Sequence, residues 1–365
     1  MATLLGLALV PAAMLAQRAA PASAAASASA TAKPALARWI PVPRIAGRLT
    51  SRDIGLVINT ADPYSVEVGG FYAKVRGLHD EQVLRIELPV RATLTVAEFD
   101  ALAQKIAARF PSSTQALALA WTVPYAVNCN SITGALALGY DAELCSHTCS
   151  PSRSSRYFNS ASARPFADLG LRPSMLLAAR DAETARRLIE RGVAADHSLG
   201  RRGAPTVHAH FVTTSDRVRS VRSALFPPAG TAPGLGVQVH LDTTQALVGA
   251  ERVLVYQTGR VQVESLDTIN WVPGALADHL TSGGGALDSA GPQMSSLAWI
   301  SSGATASYGT VSEPCAHLQK FPHPQVLLLQ YLQGATAIEA YWKSVAWPQQ
   351  GVFIGEPLAA PFARD

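Results

Sequence analysis

Between Val253 and Cys315 the chain runs VLVYQTG, then GALADHLTSGGG, then MSSLAWISSGATASYGTVSEPC. These are three apolar strand candidates in succession, each closing on a cluster of small or polar residues. An open α/β sheet places its binding crevice at such strand ends, so the residues at those ends carry the functional question.

The rest of the chain has the same rhythm. Ile54–Ile58 is a buried-strand run, and Asp62-Pro63 is a helix start with an acceptor at the N-cap and proline in the first turn. Val68, Phe71, Tyr72 and Val75 follow at helical spacing up to Gly77. Thr95-x-x-Glu98 is a capping box opening a second helix, which leads to a strand over 116–121. Further strands are read at 174–178, 207–212 and 237–241, with a helix from Asp181 to Gly192. A helix beginning near Ser215 carries Arg217, Arg219 and Arg222, read as a solvated face. The last third adds a helix over 292–301, a small-residue strand at 304–308, a helix over 324–332 and a capping box at Thr336-x-x-Glu339. A closing strand begins at Val352. Strands alternating with helices predict an α/β fold, three-layered and doubly wound, with a mainly parallel sheet.

Residues 1–30 combine an apolar run with PASAAASASA, an A-x-A-like cleavage region, and read as a signal peptide. A retained anchor is the alternative, although the run falls short of the roughly 20 residues of a membrane span. No later segment has that length of apolar sequence. Residues 31–50, rich in Pro and Ala, read as a linker or extended strap ahead of one domain over 51–365. Its long excursion at about 128–173 holds three of the four cysteines. In an exported chain an even number of cysteines permits disulfides, here in three connectivities. Periplasm or cell exterior is the expected location. The net charge of +4 comes from scattered arginines, not a basic stripe, so nucleic acid is not an expected partner.

Five segments carry a resemblance: G-A-T-A-S-Y-G-T-V-x-E-P-C at 303–315, E-A-Y-W-K-S-V at 339–345, F-I-G-E-P-L at 353–358, N-T-A-D-P-x-S at 59–65 and M-L-L-A-A at 175–179. Through them nearly the whole mature chain resembles an uncharacterised family of exported bacterial proteins, found in species that carry the exosortase protein-sorting system. More distantly it is similar to the gingipain and caspase-like cysteine peptidases, in the terminal small-residue strand, the E-A-Y helix and the closing Gly355-Glu-Pro-Leu358 element. That second resemblance implies a caspase-like sheet in which one strand ends in His-Gly and the next in the catalytic Cys. Laid on this chain, the first strand is Val253–Gly259, with Thr258 at the histidine position. The second is Ala275–Gly285, with Thr281 and Ser282 at the nucleophile.

Threonine cannot accept a proton near neutral pH, and a thiol nucleophile needs an imidazole to make its thiolate. The expectation is therefore a peptidase-like protein that has lost its dyad and acts as a binding or scaffolding component in envelope or surface-protein handling. A peptide or envelope protein would be its partner. The rival is an active cysteine or serine hydrolase using Cys315 or Ser282 with His279. Residues 279 and 282, three apart on a strand, point to opposite faces. Cys315 competes with a disulfide to the 129–149 loop. Asn59, Asp62, Thr258 and Glu313 are the candidate ligand contacts. Neither Cys145-His147-Cys149 nor Asp278-His279, with Asp62, Asp196 or Glu313, has the spacing of a metal site. Gly283-Gly-Gly285 lacks the lysine and spaced glycines of a phosphate loop. No metal or other cofactor is expected.

Overall fold

A computed structural model describes residues 38–201, 203–232, 236–288 and 291–364. The leader at 1–30 and the first residues of the linker lie outside them. Residues 38–50 are an extended strap. The Ile40 amide donates to the Gln325 side chain at 2.8 Å, that of Ile45 to Gln333 at 3.1 Å, and that of buried Leu49 to Glu339 at 3.1 Å.

The first half of the domain contains β1 (Ile54–Asn59), α1 (Pro63–Arg76), β2 (Val83–Ile86), β3 (Thr93–Leu94), α2 (Val96–Arg109) and β4 (Ala116–Leu119). Then come β5 (Ala126–Val127), β6 (Asn130–Ser131), three helices α3 (Ile132–Leu138), α4 (Glu143–Ser146) and α5 (Pro165–Leu169), β7 (Ser174–Leu176) and α6 (Ala182–Ala195). The second half contains β8 (Val207–Thr213), β9 (Gly230–Ala232), β10 (Val237–Thr243), β11 (Val253–Gly259), β12 (Trp271–Leu280), α7 (Leu297–Ser302), β13 (Ala306–Thr310), α8 (Pro324–Leu332), α9 (Ala337–Ser344) and β14 (Gly351–Gly355). The capping boxes at Thr95 and Thr336 form, and Asp62 caps α1.

Eleven strands make one sheet in the order β2-β1-β4-β7-β14-β13-β12-β11-β8-β10-β9, while β3, β5 and β6 form a small separate sheet. The pairs β2–β1–β4–β7 and β13–β12–β11–β8–β10 are parallel, whereas β14 is antiparallel to β13 and β9 to β10. The isolated bridge from β14 to β7, Ile354 with Leu176, carries a parallel pattern. The flanking contacts nevertheless fix the direction of β14. At the start of α1, Tyr64 donates to the Leu177 carbonyl just past β7. At the far end of α1, Arg76 pairs with Glu356 just past β14. A 14-residue helix spans about 21 Å, so β14 ends at the edge where β1 and β7 begin. Consistently, Asp288, beyond β12, accepts from the Tyr125 hydroxyl beyond β4 at 2.6 Å. The carboxyl ends of both parallel blocks therefore open on one edge, and β14 is a reversed strand between them.

Helices cover both faces. Gly69 of α1 sits against the Ile58 side chain and Gly55 against the Phe110 ring. Residues 55 and 58 point to opposite faces of β1. The burial of β1, β11 and β13 is unbroken, as their continuous apolar sequences require when both faces are covered. In contrast β8 and β10 alternate between buried and half-exposed positions, which leaves one face of that end of the sheet open.

Arg76 also reaches Asp196 at the end of α6, so one guanidinium joins the ends of α1, α6 and β14. The Glu356 side chain is wholly buried while that of Asp196 is 28% exposed. Glu356→Ala is expected to lower unfolding stability in urea by about 3 kcal/mol, the range for breaking a buried pair. Asp196→Ala should cost clearly less.

Candidate functional site

The edge above β11 and β12 is built around a buried ion pair. Strand pairing sets Thr258 opposite His279 and Gln257 opposite Asp278. A 3-10 helix, Arg219–Leu225, lies across the end of β11 and inserts Arg222, 1% exposed, beneath it. The Arg222 guanidinium pairs with the Asp278 carboxylate and donates to the Thr258 carbonyl at 2.9 Å. Gln257 donates to the other carboxylate oxygen at 2.7 Å. The approach is so close that a Cβ on Gly259 would lie 1.9 Å from the Arg219 carbonyl oxygen, so only glycine fits there. Arg222 is thus not part of a solvated face. Its partner lies 56 residues away, and the turn that aims it inward is 3-10 and not α-helical.

His279 points to the opposite face from Asp278 and is fully buried. The Trp299 indole donates to Nδ1 at 2.9 Å, and Nε2 lies 3.1 Å from the Met294 carbonyl. An indole N–H can only donate and a carbonyl only accept, so Nε2 carries the proton and the imidazole is neutral. Burial pushes its pKa down to about 3; the Met294 carbonyl opposes this shift, and the cations of Arg222 and Arg219 add to it. Both ring nitrogens are committed, and neither is left to take a proton from a nucleophile.

Cys315 is bonded to Cys149, and Cys129 to Cys145. None of the four is available as a thiolate or as a ligand in a Cys145-His147-Cys149 metal site while these bonds stand. The two bridges fit an oxidising compartment, and no described helix is long and apolar enough to cross a membrane. Asn59 is buried and structural: its side chain accepts from the Leu88 and Ala61 amides and donates to the Leu88 carbonyl. Asp62 accepts from the Tyr64 amide as N-cap, and burial raises its pKa. It lines a cavity of about 340 Å³ with Tyr64, Thr122, Arg180, Leu287 and Leu297, among others. Thr258 is buried on the His279 face of β11, only its carbonyl meets Arg222, and its hydroxyl has no hydrogen bond among the described residues.

Three of the sequence-derived candidates do converge. Ser282, Glu313 and Cys315 line a second cavity of about 330 Å³, together with Val218, Arg219, Leu280, Thr281, Pro314 and Ala316. The Ser282 carbonyl accepts from the Thr310 hydroxyl at 3.0 Å. Across the mouth, Glu313 accepts from the Cys315 amide at 2.7 Å, and Cys315 and Ala316 have φ of 57° and 54°, left-handed for two successive non-glycine residues. Arg219 pairs with Asp216 at 2.9 Å and donates to Thr281 at 3.3 Å. Gln293 holds the glycine turn by accepting from the Thr281 hydroxyl and the Gly283 amide. Gln293 and Trp299 were not singled out by residue type, and Arg219 was read only as part of a solvated face, because none has a sequence spacing that marks its role. The cavity is thus lined by a cation, a carboxylate and a serine on otherwise apolar walls.

Comparison of the chain with family models, with characterised proteins and with solved structures finds no match.

Two outcomes follow from this geometry. His279 has an ordinary imidazole pKa of 6.5 when unfolded and about 3 when folded. Its contribution to stability is complete above pH 6.5 and is lost as pH falls toward 3, because the unfolded chain takes up the proton first. His279→Gln should be less stable at neutral pH and show a shallower loss of urea stability over that window. Separately, Cys149→Ser/Cys315→Ser opens a loop of 166 residues. It should lower stability by up to about 5 kcal/mol on the chain-entropy relation, read as a lower thermal midpoint.

Proposed function

We propose that this is an exported, peptidase-like protein with a caspase-like arrangement of its sheet, in which the strand-end positions serve binding instead of bond cleavage. In this reading it acts in envelope or surface-protein handling in the periplasm or outside the cell. It holds an extended segment of a peptide or envelope protein in the 330 Å³ cavity beside Ser282. The observation that carries the reading is the state of the three groups a hydrolase would need. Thr258 occupies the strand end under Arg222, His279 has both nitrogens bonded inside the core, and Cys315 is spent in a disulfide. What remains at the edge is a lined cavity with one serine hydroxyl.

An active hydrolase using Cys315 or Ser282 with His279 is the competing reading. It requires His279 to give up two buried hydrogen bonds and reach the cavity, and a thiol version also requires reduction of Cys149–Cys315. Arg219 cannot replace the base, since a guanidinium stays protonated at working pH.

The test is chemical labelling and peptide binding on the oxidised full chain. Neither a fluorophosphonate nor an iodoacetamide probe is expected to label it. Fluorescent extended peptides are expected to bind without cleavage, with binding lost in Ser282→Trp, which fills the cavity. Labelling of Ser282 that disappears in Ser282→Ala, or hydrolysis of a bound peptide, would overturn the proposal.

A further inference from the structure

Far from that cavity, at the open end of the sheet, β8 and β10 lie in parallel register with His208 opposite Gln238 and His210 opposite His240. Strand alternation places His208, His210, His240 and Asp242 on one face. All four are half-exposed, whereas Val207, Ala209, Val237 and Val239 between them are buried. The two strands therefore read H-x-H and H-x-D side by side.

The side chains face one another. His208 Nδ1 lies 2.9 Å from His240 Nε2, and His210 Nδ1 lies 2.9 Å from an Asp242 carboxylate oxygen. The three ring centroids are 4.5, 5.1 and 6.2 Å apart. With zinc–nitrogen bonds of about 2.0–2.1 Å, three imidazoles around one tetrahedral ion have centroids about 5 Å apart. The three separations fall on either side of that figure, with only the His208–His240 pair close to it and His210 stacked on His240. Burial and then the neighbouring imidazoles lower the pKa of His208 and His240, and Asp242 opposes the shift at His240. The nearest cation, Arg252, also lowers the His208 pKa but is itself committed to the Pro205 and Thr206 carbonyls.

We infer that His208, His210, His240 and Asp242 form a site for a divalent transition ion of the zinc class, with three imidazoles and one carboxylate as ligands. With the side chains where they are, no group of three or more among the described residues could hold an ion, this one included. Binding therefore completes the site. Whichever of His208 and His240 donates between the facing nitrogens carries its proton on its other ring nitrogen once the ion is bound, so that both facing nitrogens offer a lone pair and both rings stay neutral. His210, now stacked on His240 with 11° between the rings, turns out of the stack to bring a nitrogen to it. This is independent of the peptide-binding reading, since no residue is shared with that cavity.

The experiment adds Zn²⁺ or Co²⁺ salts alone to the oxidised, chelator-treated full chain and reads uptake by competition with a chromophoric chelator. Tetrahedral d–d bands of Co²⁺ provide a second readout. One ion per chain is expected, with affinity reduced at least about tenfold in His208→Ala and in His240→Ala and unchanged in His147→Ala. His240→Gln, closer to histidine in size, replaces His240→Ala if circular dichroism shows that variant unfolded. Absence of uptake by the wild type at micromolar ion, or uptake unaltered by the His208 and His240 substitutions, would overturn the inference. So would uptake abolished by His147→Ala.

Discussion

The candidate site depends on the buried pairing of Arg222 with Asp278. Two charges in the interior are tolerable only when each is satisfied on several sides, and here the carboxylate also accepts from Gln257 while the guanidinium caps the Thr258 carbonyl. The pair pins the 3-10 helix onto the ends of β11 and β12, and Gly259 lets it come that close. The ends of β11 and β12 are thereby covered on the side of Arg222. Asp278 and His279 are adjacent and must face opposite ways, one toward the ion pair and the other into the aromatic cluster of Trp299 and Tyr256. A histidine held that way is a hydrogen-bonded core residue, and turning it into the cavity would break the packing that places its neighbour.

On the other wall of the cavity the constraint is covalent. A left-handed conformation costs roughly 1–2 kcal/mol for a residue with a Cβ, and Cys315 and Ala316 adopt it in succession. The turn is held by the bond to Cys149, by the Glu313 carboxylate on the Cys315 amide, and by Gln350, which donates to the Glu313 carbonyl. Lys320, just beyond it, donates to the Thr148 carbonyl and ties the same two segments together again. The long excursion between β4 and β7 is thus fastened to the end of β13, so the wall facing Ser282 is set by contacts distant in sequence.

The legible parts of the chain were those whose signals are local. Continuous apolar runs marked β1, β4, β11 and β13, and the capping boxes at Thr95 and Thr336 marked α2 and α9, because a few neighbouring residues determine each. Short β2, with Arg85 in its middle, and the two-residue strands of the small sheet escaped, since none of them carries a continuous apolar run like that of β4. The helix read over 292–301 begins only at Leu297, because the residues before it are drawn into the turn that Gln293 and the His279–Met294 contact hold. At the site, Ser282, Glu313 and Cys315 could be placed at one edge from strand-end logic. Arg222 and the engagement of His279 could not, because both are fixed by partners on other elements. The histidines of β8 and β10 were read only as strand residues, and their meeting depends on a register that pairs residues 30 apart.

The reversed strand β14 explains why that edge carries two cavities and not one crevice. It separates the block ending at Asn59 and Ala179 from the block ending at Gly259 and Ser282, and it sends its own carboxyl end to the opposite edge, where Glu356 meets Arg76. On the edge where the two parallel blocks end, the gap over β14 is filled by the segment after β12. Gly285 donates to the Thr310 carbonyl, Leu287 lines the cavity of Asp62, and Asp288 accepts from Tyr125. Gly309 must be glycine for the same reason, since a Cβ there would lie 2.3 Å from the Gly284 backbone. A segment threaded that tightly is a partition, with Ser282 at one end of it and Leu287 at the other.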